Sequence, residues 1–483
     1  NTKRYETADQ STQGFAPGFS VAAVGATPRA VTGSLTEYAV QSLLFNANYS
    51  YNHRYLAQFS FRRDGASNFG VNAKYGNFFS ISGGWNIHQE DFFNFDWVQQ
   101  LKIRVSYGSV GNRPMDDYPQ YMLYKANLKY DANPGAMLNQ LENKELTWEK
   151  TYTAGIGLDV MLFDRLSLNL DLYSKKTADL LYQVPIPGVV GVASLWQNVG
   201  QVNNKGVEFS VAYDILNNKD LKWNVSANIA KNRNKIAKLY GNGDPITVSN
   251  GGADKTGILD KRMEVGYDLD SWYGAEWAGV DPQTGDPQWY YTTENGMREK
   301  TNNYSLAQTS KVILGSMTPN FFGGFGSEFA WNNLTVSANF GYSVGGKIFS
   351  YNRTVYDSDG AYPTYNQQIM LDSWSRWQKP GDVATHPKLV YGNTSNSSKP
   401  SSRQLENASY LRMRVLTVGY LLPWKIPHVN GVRINVSGEN LFTITGFSGP
   451  DPEMINTTDG RVGAFVNAYP QTRKFLLSLN VTL

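Results

Sequence analysis

Thr151-Tyr152-Thr153-Ala154-Gly155-Ile156-Gly157-Leu158-Asp159-Val160 leads through a Phe163-Asp164-Arg165 turn into Leu166-Ser167-Leu168-Asn169-Leu170-Asp171-Leu172. On both arms every second residue is apolar or aromatic, and the residues between are polar or small. A period of two belongs to β-strands, whose successive side chains point to opposite faces. Two such arms with a short link read as an antiparallel hairpin with one apolar and one polar face. The pattern recurs in both directions along the chain. Upstream, Phe45, Ala47, Tyr49 and Tyr51 reach an Asn52-His53 turn, and Tyr55, Ala57, Phe59 and Phe61 leave it. Leu101, Ile103, Val105 and Tyr107 enclose Lys102, Arg104 and Ser106. Downstream, Val207, Phe209, Val211 and Tyr213 precede Leu221, Trp223, Val225, Ala227 and Ile229. Phe321 to Trp331 meets an Asn332-Asn333 turn, and Phe475, Leu477, Leu479, Val481 and Leu483 close the chain.

Roughly 15 strands of the ~9–11 residues that cross a tilted bilayer are read in this way. They include residues 77–87, 271–280, 288–293, 410–422 and 432–443. Short connections (52–54, 88–96, 163–165, 217–220, 281–287, 332–333, 423–431) alternate with long ones (63–76, 109–147, 174–204, 231–270, 294–320, 344–409, 444–470). Short periplasmic turns and long extracellular loops characterise outer-membrane barrels. Tyr51, Tyr55, Trp85, Tyr213, Trp223 and Trp331 flank the short turns on the apolar face, and Tyr107, Tyr152 and Tyr342 stand at the long-loop ends. Two aromatic girdles fit the two interfaces of a membrane wall.

Composition agrees with that class. The 483 residues are 41% hydrophobic and 18% charged, with a mean hydropathy of -0.42. No apolar run approaches the ~18 residues of a membrane helix. There is no Cys, which excludes thiol catalysis, disulfides and Cys-ligated zinc. A net charge of +3 from well-mixed residues argues against nucleic acid as a partner. The alternative is a soluble all-β glycan-binding or glycan-active surface protein. A propeller of that kind would show a repeat of about 40–50 residues, and none is found.

Several stretches resemble the SusC/RagA family of TonB-dependent outer-membrane transporters of Bacteroidetes. They are Phe61-Arg62-Arg63-Asp64-Gly65-Ala66-Ser67-Asn68-Phe69-Gly70, Gly84-Trp85-Asn86-Ile87, Leu101 to Gly108, Asn198-Val199-Gly200 and Asn204-Lys205-Gly206-Val207-Glu208. Ala278 to Pro287, Thr318 to Gly324, Trp377 to Asp382, Asn407 to Arg412 and Val436 to Phe442 continue the series in order. The resemblance implies an all-β transmembrane barrel of about 22 strands, import of glycans or peptides driven by TonB, and a SusD-like surface lipoprotein as partner. The family's N-terminal plug domain and TonB box are not found in this sequence. Residues 1–40 are therefore expected to be an extracellular loop and residues 41–483 the C-terminal part of the barrel. Strand parity then requires an odd number of further strands, with the plug, on another segment or chain. They would pair with residues 41–51 and 475–483.

No catalytic residues are nominated. Gly341-Tyr342-Ser343-Val344-Gly345 fits the esterase pattern, but the strand-to-helix elbow that pattern needs is absent. The four His are far apart in sequence, and no metal site is expected from them. No cofactor is expected; calcium would belong, if anywhere, to the Asp-rich surface loops. Lys102, Arg104, Glu208, Arg412, Arg414 and Glu439 fall on the polar face and are expected to contact the plug or line the lumen. Arg412 and Arg414 in particular call for carboxylate partners. Trp196, Tyr356, Tyr362, Tyr365, Trp374 and Trp377 lie in long loops, where they could stack on substrate or pack the loops together.

Overall fold

The computed structural model describes residues 2–13, 27–113, 118–131, 133–187, 189, 191–192, 194–248, 257–365, 370–424, 427–455, 463–466 and 468–482. Fourteen strands form one antiparallel sheet in which each pairs with the next in chain order. They are β1 Thr2–Gln13, β2 Thr27–Tyr51, β3 Tyr55–Ala66, β4 Tyr75–Asn86, β5 Val98–Asn112, β6 Glu149–Leu162 and β7 Leu166–Ala178. Then come β8 Gln201–Asn217, β9 Leu221–Lys238, β10 Phe321–Trp331, β11 Leu334–Val344, β12 Tyr410–Leu422, β13 Gly431–Glu439 and β14 Lys474–Thr482. A fifteenth, Thr443–Thr445, adds to β12. The tight links carry the left-handed residues that a right-twisted hairpin demands: Asn52 and His53, Phe163 and Asp164, and Asn332.

The register sorts the side chains into two faces. Phe45 lies opposite Phe61, and Phe61 opposite Phe79. Phe325 pairs with Phe340, Val336 with Val418, Val418 with Val436, and Val436 with Leu477. On the other face Asn46 meets Ser60 and Ser60 meets Ser80, while Glu328 meets Ser337 and Ser337 meets Thr417. Asn169 Nδ2 donates to Ser210 Oγ, placing both on the polar face and Leu168 and Val211 on the other. The apolar face is not covered: Tyr49, Ile156, Val436 and Leu477 are among its exposed members. So much uncovered apolar surface is foreign to a water-facing sheet and normal for one that meets lipid.

Contacts divide the chain into two compact units. The first comprises Asn1–Trp85, Arg104–Gly155 and Lys175–Val202. Its core is Ala66, Phe69, Phe78 and Trp148, with the Phe69 and Trp148 rings 4.5 Å apart. The second comprises Asn86–Ile103, Ile156–Ser174 and Asn203–Leu483. Its cores lie in the connections, around Trp272 and Phe349, around Trp289 and Ala307, and around Ile348, Phe447 and Phe465.

Within the segment 1–40, expected as an extracellular loop, β1 pairs with residues 27–39 of β2, whereas β3 pairs with residues 40–51, so these described residues form a ribbon continuing β2 past the end of β3. Both faces of this ribbon are polar in sequence, so no alternation announced it. One expectation is corrected. Residues 271–280 and 288–293 are not wall strands. They hold the short strands Ser271–Gly274, Trp277–Val280 and Pro287–Thr292 of two separate sheets. At four to six residues these cannot cross a bilayer. Their aromatic residues Trp272 and Trp289 are fully buried in protein. Removing strands in a pair leaves the alternating directions of the remaining wall unchanged.

Candidate functional site: the polar face and its loops

The register slips between Asn339 and Phe340: Asn339 faces Val415 and Phe340 faces Met413, leaving Arg414 as the extra residue of a β-bulge. Arg412 and Arg414, two apart, both serve the polar face. The bulge then resets the phase so that Leu416, Val418 and Tyr420 take the apolar one, opposite Ala338, Val336 and Leu334. The freed backbone is satisfied locally. Asn440 N donates to Arg414 O at 3.0 Å, and Met413 N donates to Phe442 O at 3.1 Å.

Both arginines have their carboxylates, and both carboxylates come from this chain. Arg412 Nη2 donates to Asp451 Oδ1 at 2.5 Å, and its Nε lies 3.1 Å from Glu453 Oε2. Arg414 Nη2 and Tyr410 Oη donate to Glu453 Oε1 at 2.5 Å and 2.6 Å. Arg412 is almost wholly buried. A buried guanidinium without an anion would cost several kcal/mol, so the pairing anchors the connection after β13 to the wall. Glu439 lies 3.5 Å from Lys474, its register partner on β14. Lys102 and Arg104 stand on β5 and Glu208 on β8, while Arg412 and Arg414 share Glu453 as a partner.

A second ionic cluster lies in the connection between β11 and β12. The helical turn Tyr351–Tyr356 places Arg353 Nη2 3.0 Å from Asp357 Oδ2, and His386 Nε2 reaches the same oxygen at 2.9 Å. Arg403 pairs with Asp357 and Asp359, Arg376 Nη1 lies 2.7 Å from Asp359, and Ser397 Oγ donates to Asp359 at 2.6 Å. Burial pushes the Asp357 carboxyl up. The His386 hydrogen bond and the Arg403 and Arg353 guanidiniums more than offset it and hold the group at about 2. Burial likewise opposes the charged form of Arg403, but Asp359 and Asp357 prevail and its pKa is raised. Three arginines against Asp357, Asp359 and Glu406 make a balanced, dry network that sets the shape of this connection.

The nominated loop aromatics divide by environment. The Trp374 ring lies beneath the Arg353 guanidinium at 4.6 Å and beside His386 at 4.9 Å. Trp377 Nε1 donates to Pro282 O at 2.9 Å, and its indole covers Gly285, where a Cβ would come within 2.5 Å. These two pack the loops. Tyr362 and Tyr365 stack at 5.2 Å and 12° and are exposed, as is Tyr356. In the first unit, Trp196 is half-buried in the ribbon of Leu181–Pro185 and Ser194–Asn198, with its carbonyl accepting from Asn143 Nδ2 at 2.7 Å.

The quoted motifs have structural roles. Asn68 and Phe69 of the Phe61–Gly70 stretch are fully buried, and a Cβ at Gly70 would collide with the Lys144 carbonyl at 2.0 Å. Asp281 Oδ1 accepts the Gln283 and Thr284 amides, the work of a turn. Asp286 pairs with Lys388 at 2.9 Å. Among the described residues no group of three or more acidic or His side chains is placed to hold a metal ion. Ser343 of the esterase-like pentapeptide sits in β11, opposite Phe322 and Tyr410.

Comparison with known proteins completes the site. Residues 2–310 match the family model "TonB dependent receptor-like, beta-barrel". The chain belongs to the TonB-dependent receptor-like β-barrel family. It is 31% identical to TonB-dependent receptor P3 of Formosa agariphila over 95% of its own length and 47% of the relative's. It is 29% identical to TonB-dependent receptor SusC of Bacteroides thetaiotaomicron over 92% of its length and 44% of that protein's. The chain thus spans about half the length of the curated relatives it matches. Among solved structures, the RagAB peptide transporter superposes with a TM-score of 0.86 at 28% identity, over 99% of this chain and 52% of that one. As a TonB-dependent receptor barrel it is an outer-membrane protein, and its uncovered apolar face is the lipid-facing surface. The family is one of receptors and transporters.

Proposed function

We propose that this chain forms part of the wall of a TonB-dependent outer-membrane importer for peptides or glycans, working with a SusD-like surface lipoprotein. The observation that carries the reading is the two-faced sheet: an uncovered apolar face on one side and a continuous polar face on the other. A lipid-facing wall that encloses a wet path has this construction. A soluble glycan-active protein would bury its apolar face in a dry core. The similarity to RagAB, a peptide transporter, supports peptides as a substrate class, and that to the TonB-dependent receptor SusC supports the TonB-dependent mode. On this reading the plug, carried by the remaining part of the receptor, meets the polar face near Lys102, Arg104, Glu208 and Glu439. TonB acts through that same part. The exposed pair Tyr362 and Tyr365 offers a stacking surface for substrate, and Tyr356 belongs with it; calcium remains a proposal for the surface loops.

Uptake of labelled oligopeptides and oligosaccharides by cells carrying or lacking the whole receptor tests the proposal. Energy-dependent uptake of one class, lost on deletion and restored by complementation, is the expected result. Uptake indifferent to the receptor and to a protonophore would overturn it. Gentle detergent extraction should also yield a co-purifying lipoprotein.

A further inference from the structure

We propose that Tyr410, Arg412 and Arg414 form a binding site for an acidic peptide on the polar face of the wall, occupied in this structure by the chain's own Asp451-Pro452-Glu453 turn. The proposal rests on the importer reading for the claim that this face meets substrate. Glu453 is hydrogen-bonded to the wall through one carboxylate oxygen and ion-paired through the other. One oxygen takes Tyr410 Oη at 2.6 Å and Arg414 Nη2 at 2.5 Å, and the other lies 3.1 Å from Arg412 Nε. Its occupant is a peptide: two carboxylates two residues apart, Asp451 and Glu453, meet two guanidiniums two residues apart, Arg412 and Arg414.

The two carboxylates are not equivalent. Asp451 also accepts the Glu453 amide at 2.9 Å and the Gln471 amide at 3.2 Å, so it is built into its own loop. Every side-chain contact shown for Glu453 goes to the wall residues Tyr410, Arg412 and Arg414. The Glu453 side chain keeps 19% of its exposure and that of Arg414 keeps 36%, against 2% for Arg412 and 4% for Asp451. The Arg412–Asp451 pair therefore anchors the loop, while Glu453 can leave Arg414 and Tyr410 to an incoming carboxylate. A tethered competitor acts at an effective concentration in about the millimolar range, so the native receptor binds a free acidic peptide weakly.

The test uses the whole purified receptor in detergent, with a synthetic peptide of residues 448–455 as probe and its Asn/Gln counterpart as control. Glu453→Gln should bind the acidic probe about tenfold more tightly than the native receptor, a gain of roughly 1.4 kcal/mol. It should leave the control unchanged, and adding Arg414→Gln should abolish the gain. Arg414→Gln alone should weaken the acidic probe, which keeps the proposal testable if Glu453→Gln does not fold, as judged by heat-modifiable gel migration. An unchanged affinity in folded Glu453→Gln would overturn it. An equal gain for the control peptide, or a gain for tri-galacturonic acid in place of the peptide, would do the same. The readout is binding to purified protein, so failure of import leaves it unaffected.

Discussion

Val436 and Ser437 are neighbours on β13 with opposite surroundings. Val436 lies between Val418 and Leu477 on the uncovered apolar face, whereas Ser437 shares a 2.9 Å hydroxyl contact with Thr417 on the polar face. Val436→Arg should destabilise the whole receptor by ~2–4 kcal/mol if near the bilayer midplane, and Ser437→Arg by well under that. Urea titration of receptor refolded into lipid vesicles measures both, and equal costs would count against the assignment of faces. Leu168 and Asn169 on β7 should behave as a second such pair. At this scale the sequence was informative wherever alternation was strict. Its limit shows at Arg412 and Arg414. Their need for carboxylates was legible from two cations on one face, but the accepting carboxylates lay some forty residues downstream, where no periodicity points. The bulge itself left a trace: even-numbered positions are polar at 412 and 414 and apolar at 416, 418 and 420.

At the scale of elements, two devices make separate predictions. Deleting Arg414 would remove the bulge and leave a regular ladder, with Met413 opposite Phe340 and Val415 opposite Asn339, so every remaining side chain keeps its face. The deletion should retain heat-modifiable migration, as should Arg414→Gln. The ionic cluster around Asp357 responds to pH. Its folded pKa of about 2 lies below that of a free carboxyl, so its stabilisation is complete above the unfolded value and is lost as pH falls through the folded one. The contribution is on the order of 2 kcal/mol and should fade between roughly pH 4 and pH 2. Hydrogen exchange across residues 351–406 should accelerate in that window, and Asp357→Asn should show faster exchange already at pH 7. This cluster was invisible beforehand, because its members are scattered over the connection and only folding makes them neighbours. The same blindness turned 271–280 and 288–293 into wall strands. Short strands that pack inside protein carry aromatic residues that mimic a membrane crossing until their length is known.

For the molecule as a whole, the two ends of the strand order matter most. Among the described residues β14 pairs with β13 and residues 40–51 of β2 pair with β3, while β1 covers the continuation beyond them. On β14, Phe475 and Leu477 are each 77% exposed. In lipid, each unpaired backbone group costs several kcal/mol, and spanning sheets avoid that cost by closing. This chain spans about half the length of the curated relatives it matches. A polypeptide of these 483 residues alone should therefore fail to give a heat-modifiable, detergent-resistant species, and co-refolding with the remaining part of the receptor should restore one. The absence of native Cys makes the pairing directly measurable. Single cysteines introduced at Asn46 and at Ser478 should each cross-link to the added segment. A direct Asn46→Cys to Ser478→Cys cross-link in the isolated chain, together with resistance to detergent, would show that these strands close on one another and would refute the prediction.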